Sequence, residues 1–142
     1  MFRSVLLAAW LSAWAALAAS AAELTVTIEG ARNPSGAVAV ALFNGEDGFP
    51  RAARALASAR IRAAAHGKAI FTFHNLAPGK YAVSAFHDEN DNGKLDTDVV
   101  GFPTEGFGFS NDARGTLGPP TFAKAAFELG DERKSVTVTL AY

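Results

Sequence analysis

The sequence predicts an all-β fold, a single antiparallel β-sandwich of six to seven strands with one long loop rich in glycine and phenylalanine. Three observations predict it. Several short segments alternate apolar and polar residues, which is the period of a strand with one buried face. Clusters of glycine, proline and asparagine separate several of these segments, as turns do between strands. The chain has 142 residues, which is enough for one domain with its own core and short for two.

Seven segments carry the strand pattern. Segment 24–29 alternates strictly, whereas 37–43 has larger apolar residues on one face and alanines on the other. The second strand is therefore expected to be covered on both sides. Residues 51–65 fit helix and strand alike, and we predict a helical turn near 50–56 followed by a strand. The remaining predicted strands are 69–74, 81–86, 125–129 and 135–142.

The segments 69–74 and 81–86 are separated by six residues, the turn Asn75-Leu76-Ala77-Pro78-Gly79 and then Lys80. A proline followed by a glycine suits the two central positions of a type II turn. Two strand-like segments joined by so short a turn usually pair with each other. We therefore predict that they form an antiparallel hairpin.

The first 22 residues differ from the rest of the chain and fit a signal peptide. Arg3 gives the start a positive charge, residues 5–17 are almost wholly apolar, and small residues precede the expected cleavage point. The predicted organisation is a signal peptide, 1–22, followed by a β-sandwich domain, 23–142. The alternative is an uncleaved membrane anchor, for which the apolar run is short. A cleaved leader implies a periplasmic or secreted protein with no remaining membrane span.

The composition excludes several classes of function. The chain has no cysteine, which excludes disulfides, thiolate zinc sites and cysteine nucleophiles. The formal net charge is −1 and no basic stripe is visible, so we predict no nucleic-acid partner. Both tryptophans, Trp10 and Trp14, lie in the leader, so the processed chain would contain none.

Residues 87–96 form the most informative motif. Oxygen-bearing side chains alternate before Gly93, and another carboxylate follows three residues later. Calcium takes six to eight oxygen ligands, and calcium loops supply them from alternate positions around a glycine bend. The candidate calcium ligands are Asp88, Asn90, Asn92, Lys94 through its main-chain carbonyl, and Asp96, with Asp98 and Glu105 as possible additional carboxylates.

The same motif departs from the helical calcium loops. Its twelfth position is Val99, where those loops carry a bidentate glutamate, and the preceding segment is predicted to be a strand. A plain polar turn stays open as the alternative, because Asn92-Gly93 is a strong turn pair whose asparagine can bond to nearby backbone. Calcium is the one cofactor that the sequence suggests.

Residues 101–122 interleave glycines with aromatic residues. They contain neither the Gly-Lys-Ser/Thr ending of a phosphate loop nor the glycine spacing of a nucleophile elbow. The rings can pin the loop to the sandwich, which is the favoured interpretation, or stay exposed and contact a partner. The candidate partner-binding residues are Phe102, Phe107, Phe109 and Asn111.

No catalytic motif is recognisable, and we predict that the protein is not an enzyme. The alternative is a small extracytoplasmic hydrolase or ligand-binding protein with a site around His87, Asp88 and Glu105, because a histidine beside carboxylates can transfer protons. The other histidines, His66 and His74, have no recognisable partners and are expected in a turn and at a strand end.

Three strings of this chain resemble a bacterial family of unknown function, domain of unknown function 2141. They are LAPGKYAV at 76–83, HDENDNGKLD at 87–96 and EGFGFSN at 105–111, and the resemblance continues through GPPTF at 118–122. It implies an exported protein with a β-sandwich similar to transthyretin and to the regulatory domains of carboxypeptidases. It implies no established activity and assigns no catalytic residue.

Together these expectations describe an uncharacterised exported module. It would bind calcium through the loop 88–96 and a partner or ligand through the loop 101–122. The expected partner is an unknown protein or glycan of the cell envelope.

Overall fold

The computed structural model describes residues 21–63 and 67–142. Nearly all of the predicted signal peptide, together with His66 and the end of the ambiguous segment 51–65, lies outside these ranges. The described chain is almost entirely strand and loop. Its strands are β1 (Ala22–Glu29), β2 (Ala37–Phe43), β3 (Ala57–Arg62), β4 (Ala69–Leu76), β5 (Gly79–Asp88), β6 (Phe107–Phe109), β7 (Phe127–Leu129) and β8 (Lys134–Thr139).

Three short helical turns complete the described elements. Two are 3₁₀ turns, at Ala52–Arg54 and Ser110–Asp112, and one is a single α-helical turn, α1 (Phe122–Ala125). The first follows Pro50 and leads directly into β3. The prediction of a helical turn followed by a strand in this segment is therefore confirmed.

The strands form two sheets. One has the order β4-β1-β8, in which β1 pairs antiparallel with β4 and parallel with β8. The other has the order β3-β2-β5-β6, and β7 pairs with the first residues of β5. This arrangement confirms the predicted all-β sandwich, but the described residues form eight strands and not six or seven, and the pair β1–β8 is parallel where an antiparallel sandwich was predicted. The structure adds the short strand β6 inside the segment predicted to be one long loop.

The main core lies between the two sheets. Strand β1 buries every second residue, so that Leu24, Val26 and Ile28 face the other sheet. From that sheet, Val38, Val40 and Leu42 of β2 and the matching face of β5 pack against them. Removing these side chains from water is the main contribution to folding stability in a domain without disulfides.

A second, smaller core covers the opposite face of the five-stranded sheet. Strand β2 is buried along its whole length, as its alanine face predicted. Phe49 is the centre of this core, with its ring 5.0 Å from the ring of Phe43 and 5.8 Å from that of Phe122. Phe109 of β6 lies 5.9 Å from Phe49. The rings therefore pin the second half of the chain onto the sheet.

The predicted hairpin between 69–74 and 81–86 is wrong. Both strands exist, but β4 pairs with β1 in one sheet and β5 pairs with β2 in the other. The residues between them cross from one sheet to the other, and the Tyr81 hydroxyl donates a hydrogen bond to the Ala77 carbonyl across this connection at 2.5 Å. The turn residues indicated a reversal of direction, but they carry no information on which strand edges are already occupied.

Candidate functional site

The predicted calcium loop joins β5 to β6. Strand β5 ends at Asp88, and the chain returns at Glu105 before pairing again with β5 through β6. Both residues at this base are buried although each carries a carboxylate. Every buried side-chain nitrogen or oxygen in the described ranges has a hydrogen-bond partner. The loop is therefore built around two buried acids with internal partners.

Asp88 is bound by Arg60 and by the loop itself. One guanidinium nitrogen of Arg60 lies 2.8 Å from Oδ2, and the main-chain N–H groups of Gly93 and Asn92 donate to the two oxygens at 2.8 and 3.1 Å. Burial alone would raise the pKa of Asp88, but these donors lower it below its ordinary value. The Asp88 carboxylate thus anchors the loop in its ionised form.

The alanine face of β2 explains how Arg60 reaches Asp88. In the sheet, Ala39 of β2 is the neighbour of Arg60 on one side and of Phe86 on the other, and Ala37 pairs with Asp88. The small side chains at positions 37 and 39 leave room for the long arginine to cross β2. Arg60 also binds the exposed carboxylate of Asp91 at 2.5 Å. No pattern in the sequence indicates Arg60, because it lies 28 residues from Asp88.

Three of the candidate calcium ligands, Asn90, Asn92 and Asp96, lie in contact with one another. The amide nitrogens of Asn90 and Asn92 lie 2.6 and 2.7 Å from the two carboxylate oxygens of Asp96. The amide oxygens of the two asparagines accept main-chain N–H groups two residues further on, at 3.3 and 3.1 Å. Lys94 is exposed, and its N–H is the donor to Asn92.

The two additional carboxylates have other roles in the loop. Glu105 accepts the main-chain N–H of Glu89 at 2.9 Å and that of Asp96 at 3.0 Å, so it ties the start of the loop to its middle. Asp98 accepts the N–H groups of Val100 and Phe102, both at 2.9 Å. In the ranges the structure describes, no three histidine, cysteine or carboxylate side chains form a group able to hold a metal ion.

His87 and Asp88 point to opposite faces of the sheet, because successive residues of a strand alternate. His87 is fully buried. Its Nε2 lies 2.6 Å from the Ser35 carbonyl and its Nδ1 lies 3.0 Å from the Tyr142 hydroxyl. The carbonyl can only accept, so Nε2 carries a proton, and in the neutral ring with this tautomer Nδ1 accepts from the tyrosine hydroxyl. His87, Asp88 and Glu105 therefore form hydrogen bonds with different partners.

Tyr142 and Arg32 complete the surroundings of His87, and no pattern in the sequence indicates either of them. The Tyr142 oxygen accepts the N–H of Arg32 at 2.9 Å, and the Arg32 guanidinium lies 4.5 Å from the centre of the tyrosine ring. Partial burial raises the pKa of Tyr142. The guanidinium also binds Glu89, with its Nε 2.6 Å from Oε1, and this hydrogen bond lowers the pKa of Glu89.

Replacing Tyr142 with phenylalanine is expected to lower the free energy of unfolding by about 1–2 kcal/mol, because it leaves the buried Nδ1 of His87 without its donor. Urea unfolding measures the change. Replacing Tyr81 with phenylalanine is the matched control, since that hydroxyl donates to a single carbonyl. A Tyr142 variant as stable as the wild type would contradict the hydrogen-bond assignment.

The candidate partner-binding residues divide into packed and exposed ones. Phe107 and Phe109 belong to the second core, with ring centres 6.2 Å apart. Asn111 donates its amide to the carbonyls of Lys124 and Ala126, at 3.3 and 2.8 Å, and so holds α1. Phe102 is exposed to 55%. The favoured interpretation as structural pinning therefore describes three of these residues, and Phe102 is the exception.

Comparison with known proteins adds one finding to this geometry. The family described as "Uncharacterized protein conserved in bacteria (DUF2141)" matches residues 26–137. The chain belongs to this family. The match runs from the middle of β1 to the middle of β8, so the DUF2141 domain includes both sheets and the whole loop between β5 and β6. A search of curated proteins and a search of solved structures each found no match.

The membrane prediction is tested for the described part of the DUF2141 chain. Within residues 21–63 and 67–142, no helix is long and apolar enough to cross a bilayer.

His74, expected at a strand end, lies in β4 with Nδ1 3.1 Å from a carboxylate oxygen of Glu23. It therefore belongs to the surface of the three-stranded sheet and not to the loop.

Proposed function

We propose that this DUF2141 protein is an exported, non-enzymatic β-sandwich module that binds a calcium ion through the loop 88–96. Export is supported by the charged start, apolar run and small residues of the first 22 positions. The sandwich is of the transthyretin-like kind in this proposal, and its partner is a protein or glycan of the cell envelope.

The observation that carries the calcium proposal is the convergence of Asn90 and Asn92 on both oxygens of Asp96. One carboxylate and two amide groups are the oxygen-rich side chains that calcium prefers. Asp96 would supply its carboxylate. Each asparagine would turn its amide, so that the oxygen that now accepts a main-chain N–H faces the ion in place of the nitrogen, and water and main-chain carbonyls would complete the set. Asp88 would not be a ligand in this site, because Arg60 already neutralises its charge. It would instead hold the loop through the N–H groups that it accepts.

This ligand set fits weak binding. It contains a single carboxylate, and the affinity of calcium loops rises with the number of charged ligands and with their rigidity. Dissociation constants of about 10⁻⁴–10⁻³ M are typical of extracellular calcium modules. The proposed site would therefore be filled at millimolar calcium and empty at the micromolar concentrations of a cytoplasm.

The non-enzymatic part of the proposal is supported by the surroundings of the acid–base candidates. His87 and Asp88 are fully buried, and Glu105 is 5% exposed. Each uses its polar atoms in hydrogen bonds to the chain itself. A general acid or base must reach a substrate atom within hydrogen-bond distance, whereas these groups hold loop and strand ends together.

Calcium at 10 mM is expected to stabilise the protein by about 1.4 kcal/mol if the dissociation constant is near 1 mM. In a chain of this size that raises Tm by roughly 5 °C. Thermal unfolding in calcium, in magnesium and in EDTA measures the shift. The variant Asp96→Asn should lose it, and Asp47→Asn, which removes the same charge from another exposed loop, should keep it. An unchanged wild-type Tm would overturn the calcium proposal.

A further inference from the structure

The loop between β5 and β6 carries a second feature, an exposed apolar tip formed by Val99, Val100 and Phe102. Val99 is 104% exposed, Val100 72% and Phe102 55%. Gly101 adds no side chain between them. Exposed apolar side chains grouped at one protruding point are unusual on a soluble domain and mark an interaction site.

The tip is rigid. Thr97 and Pro103 form an antiparallel bridge at its base. Within it, Asp98 donates its N–H to the Phe102 carbonyl at 2.8 Å, and its side chain accepts two N–H groups of the same turn. A turn that is already ordered loses little conformational entropy when it binds. The apolar side chains are therefore presented in a fixed arrangement.

The size and shape of the tip favour a lipid surface over a second copy of the chain. A stable protein interface buries about 800 Å² on each partner. One phenylalanine supplies at most about 250 Å², and a valine less, so the three side chains stay below that area. A convex point needs a partner that deforms around it, and the boundary between headgroups and acyl chains does so.

The charges beside the tip indicate which lipid it fits. Asp91 and Asp98 are exposed on the same loop, and Asp91 is paired with Arg60. The exposed cation among residues 89–103 is Lys94, so the surroundings of the tip are not basic. Basic clusters are what attract anionic membranes. An apolar tip with acidic neighbours fits zwitterionic lipid at least as well.

We infer that the tip at Val99, Val100 and Phe102 inserts into the interfacial layer of a zwitterionic phospholipid membrane. The inference goes beyond the proposed calcium site and does not require it. The tip would anchor the module to the envelope by partial insertion of three side chains. Such binding is reversible, because it lacks a second attachment such as a basic patch.

A single tryptophan at the tip tests the inference in the processed protein, purified after export, because the apolar run of an uncleaved leader would itself bind vesicles. That chain lacks Trp10 and Trp14, so Phe102→Trp provides its one tryptophan. With phosphatidylcholine vesicles in EDTA, its emission is expected to shift to shorter wavelength and to be quenched by brominated acyl chains. The control is Leu56→Trp, at a site of similar exposure, 51%, on another part of the chain. Its emission should not change.

Adding Val99→Asp to the Phe102→Trp chain is expected to weaken vesicle partitioning about tenfold, because burying one valine contributes at least that factor. If vesicles left the tryptophan emission of the Phe102→Trp chain unchanged, the inference would be overturned, and a response confined to phosphatidylglycerol vesicles would overturn it too. A blue shift that grows with protein concentration in the absence of vesicles would identify a second copy as the occupant and also overturn it. Calcium is absent throughout, so a failure here is distinct from a failure of the calcium proposal.

Discussion

Replacing Asp88 with alanine is expected to lower the free energy of unfolding by about 2–4 kcal/mol, because its buried carboxylate accepts three hydrogen bonds. The substitution removes the acceptor of the Gly93 N–H group and one of the two acceptors of the Asn92 N–H group, and it removes a fully buried side chain at the end of β5. It also removes one of the two carboxylates that pair with Arg60, whose guanidinium keeps its contact with Asp91. Urea or thermal unfolding measures the loss. The effect should appear as lower stability of the whole domain, because Asp88 closes both β5 and the loop.

The matched control for Asp88 is Asp91→Ala. Asp91 binds the same guanidinium, but its side chain is 57% exposed. Exposed ion pairs contribute little because water screens them, so we expect a change within about 0.5 kcal/mol. Equal losses for Asp88→Ala and Asp91→Ala would contradict the assignment of Asp88 as the anchor. A test of catalysis by Asp88→Ala is therefore uninformative unless stability is measured beside activity.

The same carboxylate predicts a pH dependence. Folding lowers the pKa of Asp88, so its contribution to stability is present above the ordinary aspartate value of about 3.9 and is lost as pH falls through the lower value of the folded state. Glu89 contributes in the same direction, because Arg32 lowers its pKa. The variant Asp88→Asn should lose part of this acid sensitivity. An unchanged stability difference between wild type and Asp88→Asn from pH 6 to pH 2 would count against the assignment.

The sequence predicted those parts of the fold that depend on local pattern. Strand β2 was placed from 37 to 43, as observed, and its alanine face correctly indicated cover on both sides. The helical turn before β3 was also predicted. Local signals failed for β4 and β5, because pairing depends on which edges the distant β1 and β2 occupy. The parallel pairing of β1 with β8 joins strands over a hundred residues apart and leaves no mark in either segment.

In the candidate site, too, contacts between neighbouring residues leave a pattern in the sequence, whereas contacts with distant residues do not. The alternation of Asp88, Asn90 and Asn92 predicted either a calcium loop or a polar turn, and in the structure both asparagines bond to Asp96, a contact within a few residues of the kind that asparagine side chains make. The side-chain partners that decide the chemistry of Asp88 and His87 come from elsewhere in the chain. Arg60 neutralises Asp88 and Tyr142 covers His87, and no spacing within residues 87–105 could predict either contact.

Gly36 is the position where a single methyl group is expected to have the largest effect on this site. It lies at the start of β2 with φ +66°, and an added Cβ would stand 1.9 Å from the Asp88 carbonyl oxygen. That oxygen belongs to the paired backbone of β2 and β5 and cannot rotate away. We expect Gly36→Ala to cost about 3–5 kcal/mol, from the left-handed backbone and from displacement of the strand end.

Two other glycines distinguish the cost of the left-handed backbone from the cost of the steric clash at Gly36. Gly93 has φ +85° but no atom within 4 Å of an added Cβ, so Gly93→Ala should cost about 1–2 kcal/mol from the backbone conformation alone. Gly45 has neither feature, and Gly45→Ala should stay within about 0.5 kcal/mol. Urea midpoints of the three variants give the order. If Gly36→Ala were no worse than Gly93→Ala, β2 and β5 would not meet as closely at Asp88 as the structure has them. The contact of Arg60 with Asp88 across β2 would then lose its geometric basis.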